Sequence, residues 1–230
     1  MDIKEFLKIK HLEEALAERF AELTRLTLEW NEKINVTAIR DPEEFMQKNI
    51  IDSLTLIGSE ELASAQTVLD LGTGGGYPGI PLAMCFPEKQ FLLMDAVGKK
   101  LKVVDAVCEA LGVRNVKTVH LRAEDMAKDK QYRESFDLVV SRAVANMSTL
   151  SEYCLPFVKV GGSFIAYKTA DAGEEIAAAA AALDLLGSAP AEILPDGIAG
   201  SGHNFVICRK IRKTPAGYPR RAGLPKEKPL

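Results

Sequence analysis

The clearest chemistry in the chain lies in Val68-Leu-Asp-Leu-Gly-Thr-Gly-Gly-Gly-Tyr-Pro-Gly-Ile-Pro-Leu82, an apolar run that passes through an acid into a glycine-rich turn and then a helical start. Gly72, Gly74, Gly75 and Gly76 tolerate positive φ and put no Cβ between the backbone and an approaching ligand. Tyr77-Pro-Gly79 opens the helix, and proline suits a first turn whose N–H groups have no internal partner, so amides are available to a ligand. Three more polar positions follow apolar runs. Asp95 closes Phe91-Leu-Leu-Met-Asp95, where a carboxylate can accept both hydroxyls of a ribose or cap the next helix. Glu124, in Arg122-Ala-Glu-Asp125, offers a base edge an amide or a carboxylate, or is a surface acid. Arg142 leaves Phe136-Asp-Leu-Val-Val-Ser141 at the mouth of a crevice, where its guanidinium can fork onto a carboxylate or phosphate, or form a structural ion pair.

These residues are useful together only if the elements beneath them end on one rim. Short apolar runs predict strands at Val68–Leu71, Phe91–Asp95, Val116–His120, Phe136–Ser141, Ser163–Lys168 and Asn204–Arg209, separated by helices. Gly98–Leu111 puts Leu101, Val104, Cys108 and Leu111 on one face and stops at Gly112. Glu174–Leu186 is alanine-rich and stops at Gly187. The expected class is α/β, a Rossmann-like, doubly wound and mostly parallel sheet with helices on both faces and ligands beyond its carboxyl edge. Ahead of it, Leu12, Leu16, Phe20, Leu23, Leu26 and Trp30 recur at helical steps, and a second helix starts at Asp41-Pro42 and runs to about Ile57. The division predicted is a helical addition over 1–65, a ligand-binding core over 66–210 and a basic tail over 211–230, within one compact domain.

With 230 residues and 47% hydrophobic content the chain can bury one substantial core. Cys85, Cys108, Cys154 and Cys208 sit among apolar neighbours without a C-x-x-C pair and read as reduced core residues. His11, His120 and His203 have no metal-ligand spacing, so no metal is expected. The N-terminus is too charged for a signal peptide and no apolar run reaches spanning length, which predicts a soluble, cytoplasmic protein without membrane contact. Net charge is −3, yet Arg209–Leu230 holds eight basic residues against one acid. Such asymmetry reads either as a solvated tail or as an extended arm for a polyanion.

Gly74-x-Gly76-x-x-Gly79 with Asp95 also satisfies the dinucleotide fingerprint read literally. Asp70 alters that reading, because Asp-x-Gly-x-Gly-x-Gly resembles the first motif of class I S-adenosylmethionine (SAM) methyltransferases. No Asn/Asp-Pro-Pro-aromatic sequence and no cysteine follow the fourth strand, which argues against amino-group and pyrimidine-carbon methylation. Beyond the fold, Asn35-Val-Thr-Ala-Ile-Arg-Asp-Pro42, Ile51-Asp-Ser-Leu54, Asp70 to Pro81, Ser141-Arg-Ala-Val144 and Tyr218-Pro-Arg-Arg-Ala-Gly-Leu-Pro225 occur in order across most of the chain. On these stretches the chain resembles the bacterial GidB family, guanine-N7 methyltransferases of 16S ribosomal RNA. The resemblance implies SAM contacts from Gly72, Tyr77, Ala123, Glu124 and Arg142, with Asp95 at the ribose and Gly74 and Gly76 in the cofactor turn. Two departures are visible: Asn49 stands where many relatives carry histidine, and Tyr77 where Phe or Leu is common.

Guanine N7 is a lone-pair acceptor that carries no proton, so the implied reaction needs no general base and no catalytic residue is assigned; Arg142 is the candidate for orienting target or cofactor. Candidate RNA contacts are Arg40, Lys99, Lys100, Lys168, Arg220, Arg221 and Lys226, with the tail as a substrate clamp. The implied partner is 16S ribosomal RNA or the small subunit, met by a monomer. The competing readings are an NAD-dependent oxidoreductase, a non-catalytic RNA-binding protein and a small-molecule methyltransferase.

Overall fold

Short apolar runs, buried on both faces at the centre, build a seven-stranded sheet in the computed structural model, which describes residues 1–142, 145–169, 172–197 and 203–230. The strands are β1 (Thr67–Leu71), β2 (Gln90–Asp95), β3 (Val116–His120), β4 (Phe136–Arg142), β5 (Val158–Thr169), β6 (Glu192–Pro195) and β7 (His203–Arg209). Their order is β3-β2-β1-β4-β5-β7-β6, and β7 alone runs antiparallel to its two neighbours. Side chains of adjacent residues point to opposite faces. Val68, Leu138, Val140 and Ile165 therefore feed one core, and Leu69, Val139, Phe164 and Ala166 feed the other.

The first core is shared with the N-terminal helices α1 (Ile3–Ile9) and α2 (Leu16–Asn31), through Phe6, Phe20 and Leu23. Asp41 accepts from the Glu44 amide at 2.7 Å and so caps α3 (Pro42–Phe45), as the Asp-Pro start signal predicts. The helix then widens into a π turn over Met46–Ile51 and closes with α4 (Asp52–Leu54). Next come α5 (Glu60–Ser64), α6 (Gly79–Cys85) after the glycine turn and α7 (Gly98–Leu111), which ends at a left-handed Gly112 as expected. The second core packs under α8 (Ala123–Met126), α9 (Met147–Cys154) and α10 (Ala172–Leu185), and α11 (Leu224–Glu227) closes the chain.

Five of the six predicted strands fall within a residue of their expected limits; the fifth, β5, starts earlier, at Val158. The sequence reading missed β6, because it is a four-residue edge strand with all its residues exposed and a proline at its end, so it has no buried face to show a period. Ala143 and Val144 of the quoted Ser141–Val144 stretch lie outside the described residues. All four cysteines are unbridged; Cys85 is half-buried and the rest buried, and burial pushes Cys85, Cys108 and Cys208 up to about 12.

The tail is not a solvated segment, because it packs against the body of the protein while Arg221 and Lys226 stay exposed. Arg133 donates to the carbonyls of Thr214, Pro215 and Tyr218 at 3.0, 3.2 and 2.8 Å. Thr214, Pro219 and Pro225 are buried. No helix among the described residues is long and apolar enough to cross a membrane.

Candidate functional site

At the carboxyl end of β1, Asp70 is fully buried. Its Oδ2 accepts from Thr73 Oγ1 at 2.6 Å and from the Gly79 amide at 2.8 Å, while Oδ1 is buried without a hydrogen-bond partner among the described residues. Burial lifts this carboxyl to about 6 against the opposing effect of those two donors. Gly79 is required for the arrangement: a Cβ there would stand 2.7 Å from Leu93 Cγ and 2.8 Å from Asp70 Oδ2. The turn is tied down on its other side by β2. Gly72 and Thr73 donate to the Met94 carbonyl at 2.9 and 3.0 Å, and Gly74 donates to Asp95 Oδ2 at 2.9 Å. Asp95 Oδ1 takes the amide of Val97, the residue ahead of α7, at 2.8 Å. Asp95 thus fastens the glycine turn to the head of α7, and each oxygen keeps a second lone pair for a hydroxyl.

Beside this turn lies a cleft of about 440 Å³ whose walls include Gly72, Asp95, Ala123, Glu124 and Tyr153. Ala123 and Glu124 are the first residues of α8, so their amides have no intrahelical acceptor. Glu124 is a buried acid, with Oε1 taking the Gly223 amide at 2.9 Å. Lys100 and Lys226 also line the cleft. The structure therefore brings together Gly72, Asp95, Ala123 and Glu124, four positions expected to hold a nucleoside. Gly74 and Gly76, both at positive φ, belong to the turn but not to the cleft wall.

Several side chains stand elsewhere than the sequence led one to expect. Tyr77 does not line the cleft: its ring packs edge-on against Phe45 with centroids 5.3 Å apart, and its hydroxyl pairs with Thr27 Oγ1 at 2.8 Å. An apolar ring next to the helical addition gains more by burial there than in a wet cleft. Arg142 does not stand free at the crevice mouth. It donates to Asp52 Oδ2 at 2.6 Å, to Asn49 Oδ1 at 2.7 Å and to the Lys48 carbonyl at 2.7 Å, all from the π turn and α4. Asp52 Oδ1 in turn meets His203 Nδ1 at 2.8 Å. Although no sequence spacing indicates a metal site, the fold brings donor atoms of Asp52, Asp196 and His203 within 4.8 Å of one another; the Arg142 guanidinium already supplies a positive charge to that group.

Among the expected RNA contacts, Lys168 is held by Glu175 at 2.7 Å and the Ala145 carbonyl at 2.8 Å, and Arg220 is locked to the fully buried Glu152. Both side chains are thus engaged with acids of the fold instead of standing free as the sequence reading has them. Lys99, Arg221, Arg40 and Lys226 remain exposed. Arg40 lies on the helical addition with Nη1 3.5 Å from the Asn31 carbonyl. The residues that sequence reasoning missed are Asn49 and Asp52, quoted for their motif but given no partner, together with Tyr153 and Gly223. The one available signal was the glycine, which occupies a left-handed conformation at the start of α11.

A family model described as "GidB: rRNA small subunit methyltransferase G" matches residues 16–195. The ribosomal RNA small subunit methyltransferase G of Clostridium novyi (strain NT) is 44% identical over 214 residues, covering 92% of this chain and 88% of that protein. Its counterpart from Clostridium beijerinckii is 45% identical over 215 residues, covering 93% and 90%. Among solved structures, the S-adenosylmethionine-dependent methyltransferase SibL in its apo form superposes with a TM-score of 0.59 at 16% identity, over 75% of this chain and 57% of that one. At that identity the likeness concerns the fold, a class I SAM methyltransferase sheet.

Proposed function

The chain belongs to the GidB family of small-subunit ribosomal RNA methyltransferases, and from this premise we propose how it transfers a methyl group from SAM to N7 of a guanine in 16S ribosomal RNA. The observation that carries the proposal is the convergence of Gly72, Asp95, Ala123 and Glu124 on one cleft, at the end of the strand that carries the buried acid Asp70. Such a set fits SAM. Asp95 suits a ribose and Glu124 an exocyclic amine, while the Asp70 carboxylate, buried behind the turn, favours a cationic amino-acid ligand through its charge. When bound, SAM supplies a methyl group made electrophilic by its sulfonium.

The chain's own task is then positional. The glycine turn offers close backbone approach; the amides of Gly72, Thr73, Gly74, Gly76, Tyr77 and Gly79 are engaged within the protein, contrary to the sequence expectation of amides free for a ligand. Asp95, tied to both the turn and the head of α7, keeps the ribose acceptor fixed. Arg142 acts as a positioning residue: by holding Lys48, Asn49 and Asp52 it fastens the helical addition over the carboxyl rim of β4. Because N7 has a lone pair and no proton to lose, no side chain has to move a proton; rate comes from collinear placement of nucleophile and methyl carbon at near-attack distance. A-form RNA hides N7 in a deep, narrow groove, so the guanine has to be presented from a loop or extruded. Exposed Lys99 and half-buried Lys100, at the head of α7, are placed to hold its flanking phosphates.

In the same reading residues 1–65 form the platform for the target, 66–210 the cofactor core and 211–230 a closing segment, working as a cytoplasmic monomer on 16S ribosomal RNA or the assembling subunit. The test is to incubate the protein with SAM and unmodified small-subunit RNA or particles, digest to nucleosides and quantify 7-methylguanosine by mass spectrometry. A gain in 7-methylguanosine that falls by at least about 100-fold in Asp95→Ala is expected, the scale of losing an oriented contact. SAM binding without any methylated nucleoside from either substrate would overturn the reading.

A further inference from the structure

The C-terminal segment carries features that a phosphate clamp does not need. Glu152 on α9 is completely buried, and its carboxylate takes the Arg220 amide at 2.7 Å, Nε at 3.0 and 3.1 Å and Nη2 at 2.6 Å. Arg220 Nη2 also reaches the Lys228 carbonyl at 2.8 Å, and Thr149 on α9 donates to the Pro225 carbonyl at 3.0 Å. A buried carboxylate matched by a forked guanidinium and a backbone amide gives a fixed orientation as well as attraction. The segment is thereby pinned to the helix that supplies Tyr153 to the cleft.

Pinned in this way, the segment lies on the cleft itself. Gly223, in a left-handed conformation that a side chain would strain, donates its amide to Glu124 Oε1 at 2.9 Å. Gly223 and Lys226 line the same cleft as Gly72, Asp95 and Ala123. Fixing one oxygen of a buried carboxylate also fixes the direction in which the other can accept.

We propose that residues 220–227 form a working wall of the cofactor cleft, in which the Gly223 amide positions Glu124 to accept the amino group of adenine. This rests on the reading of the cleft as the SAM site. Gly223 is thus a positioning residue for nucleoside selectivity, and Arg220 is the rivet that brings it there. A carboxylate so held rejects a 6-oxo purine, which presents a carbonyl where adenine presents an amine, because two acceptors are then forced together without a proton between them.

The experiment measures calorimetric affinities of the full-length protein for S-adenosylhomocysteine and for its inosine analogue, in wild type, Gly223→Ala, a chain ending at Pro219, and Asp95→Ala. Wild type should prefer the adenosine ligand by at least about 30-fold. Gly223→Ala should cut that preference to under about 5-fold, as expected when an oriented polar contact is lost, while its RNA affinity keeps the wild-type salt dependence. The shortened chain, if it folds, should bind S-adenosylhomocysteine at least about 10-fold more weakly; if it does not fold, Gly223→Ala decides alone. Wild-type preference retained in Gly223→Ala, with Asp95→Ala still weakening the ligand, would overturn the wall and leave the cleft reading intact. If Asp95→Ala also binds normally, the cleft is not the cofactor site and both fall.

Discussion

Asp70 is a buried carboxyl whose charged form is held at a cost to folding. Its carboxyl sits at about 6, against about 3.8 when unfolded, because burial disfavours the anion more than Thr73 and Gly79 favour it. A folded value above the unfolded one means that the folded state holds the proton more tightly between those limits. This residue therefore stabilises the fold most below about pH 4, and that contribution fades as pH rises through about 6, amounting to roughly 3 kcal/mol for a two-unit shift. Urea midpoints at pH 4.5 and 7.5 should fall with pH in wild type by more than in Asp70→Asn, which cannot titrate; equal pH dependence would remove Asp70 as the source. Binding has the opposite sign. Because the anion suits a cationic ligand, SAM should bind more tightly at pH 7.5 than at pH 5, and Asp70→Asn should bind weakly and nearly pH-independently in calorimetry.

The helical segment over residues 42–54 meets the sheet through a few polar contacts as well as through its apolar face. The Lys48 carbonyl, Asn49 and Asp52, three and four residues apart along the π turn over Met46–Ile51 and the start of α4, share one face and converge on one guanidinium. Asp52 is nine-tenths buried, so removing Arg142 takes the guanidinium from a buried carboxylate whose other oxygen meets His203 Nδ1 at 2.8 Å. Arg142→Ala should therefore lower stability by about 3 kcal/mol in chemical denaturation, the scale for breaking a buried pair. Arg142→Lys should recover only part of this, since an ammonium cannot reproduce the fork. Hydrogen exchange should locate the loss in residues 42–57, and loss spread evenly over the sheet would count against a local rivet. The start of this element was legible, because Asp41-Pro42 is a capping signal and Asp41 does cap it. The π turn and its partner were not, since the guanidinium that its residues meet lies some ninety positions away in sequence.

Across the whole molecule the basic residues divide into those consumed by the fold and those left to solvent. Lys168, Arg220 and fully buried Lys210 have protein partners, whereas Lys99 and Arg221 are exposed. Lys99→Ala and Arg221→Ala should each weaken RNA binding uniformly across sequences and lower the slope of log affinity against log salt by about 1, the value for one phosphate contact, as read by filter binding at several salt concentrations. Arg220→Gln should leave the slope unchanged and act through the cofactor cleft instead. What the amino-acid sequence determined by itself is what depends on neighbours along the chain. Unbroken apolar runs at Val68–Leu71 and Phe136–Ser141 marked the strands, Gly112 the stop of α7, and Asp70 with its glycines the turn after β1. The placement of Asp95, Ala123 and Glu124 on one rim also followed, because parallel strands must all end on the same side. Only the tertiary structure decided which charges are spent on one another. Arg142 chose Asp52, Arg220 chose Glu152 and Gly223 chose Glu124, pairs separated by 90, 68 and 99 residues. Local propensity does not record such choices, because the energy of a charge is set by the burial and the partner that the finished fold provides.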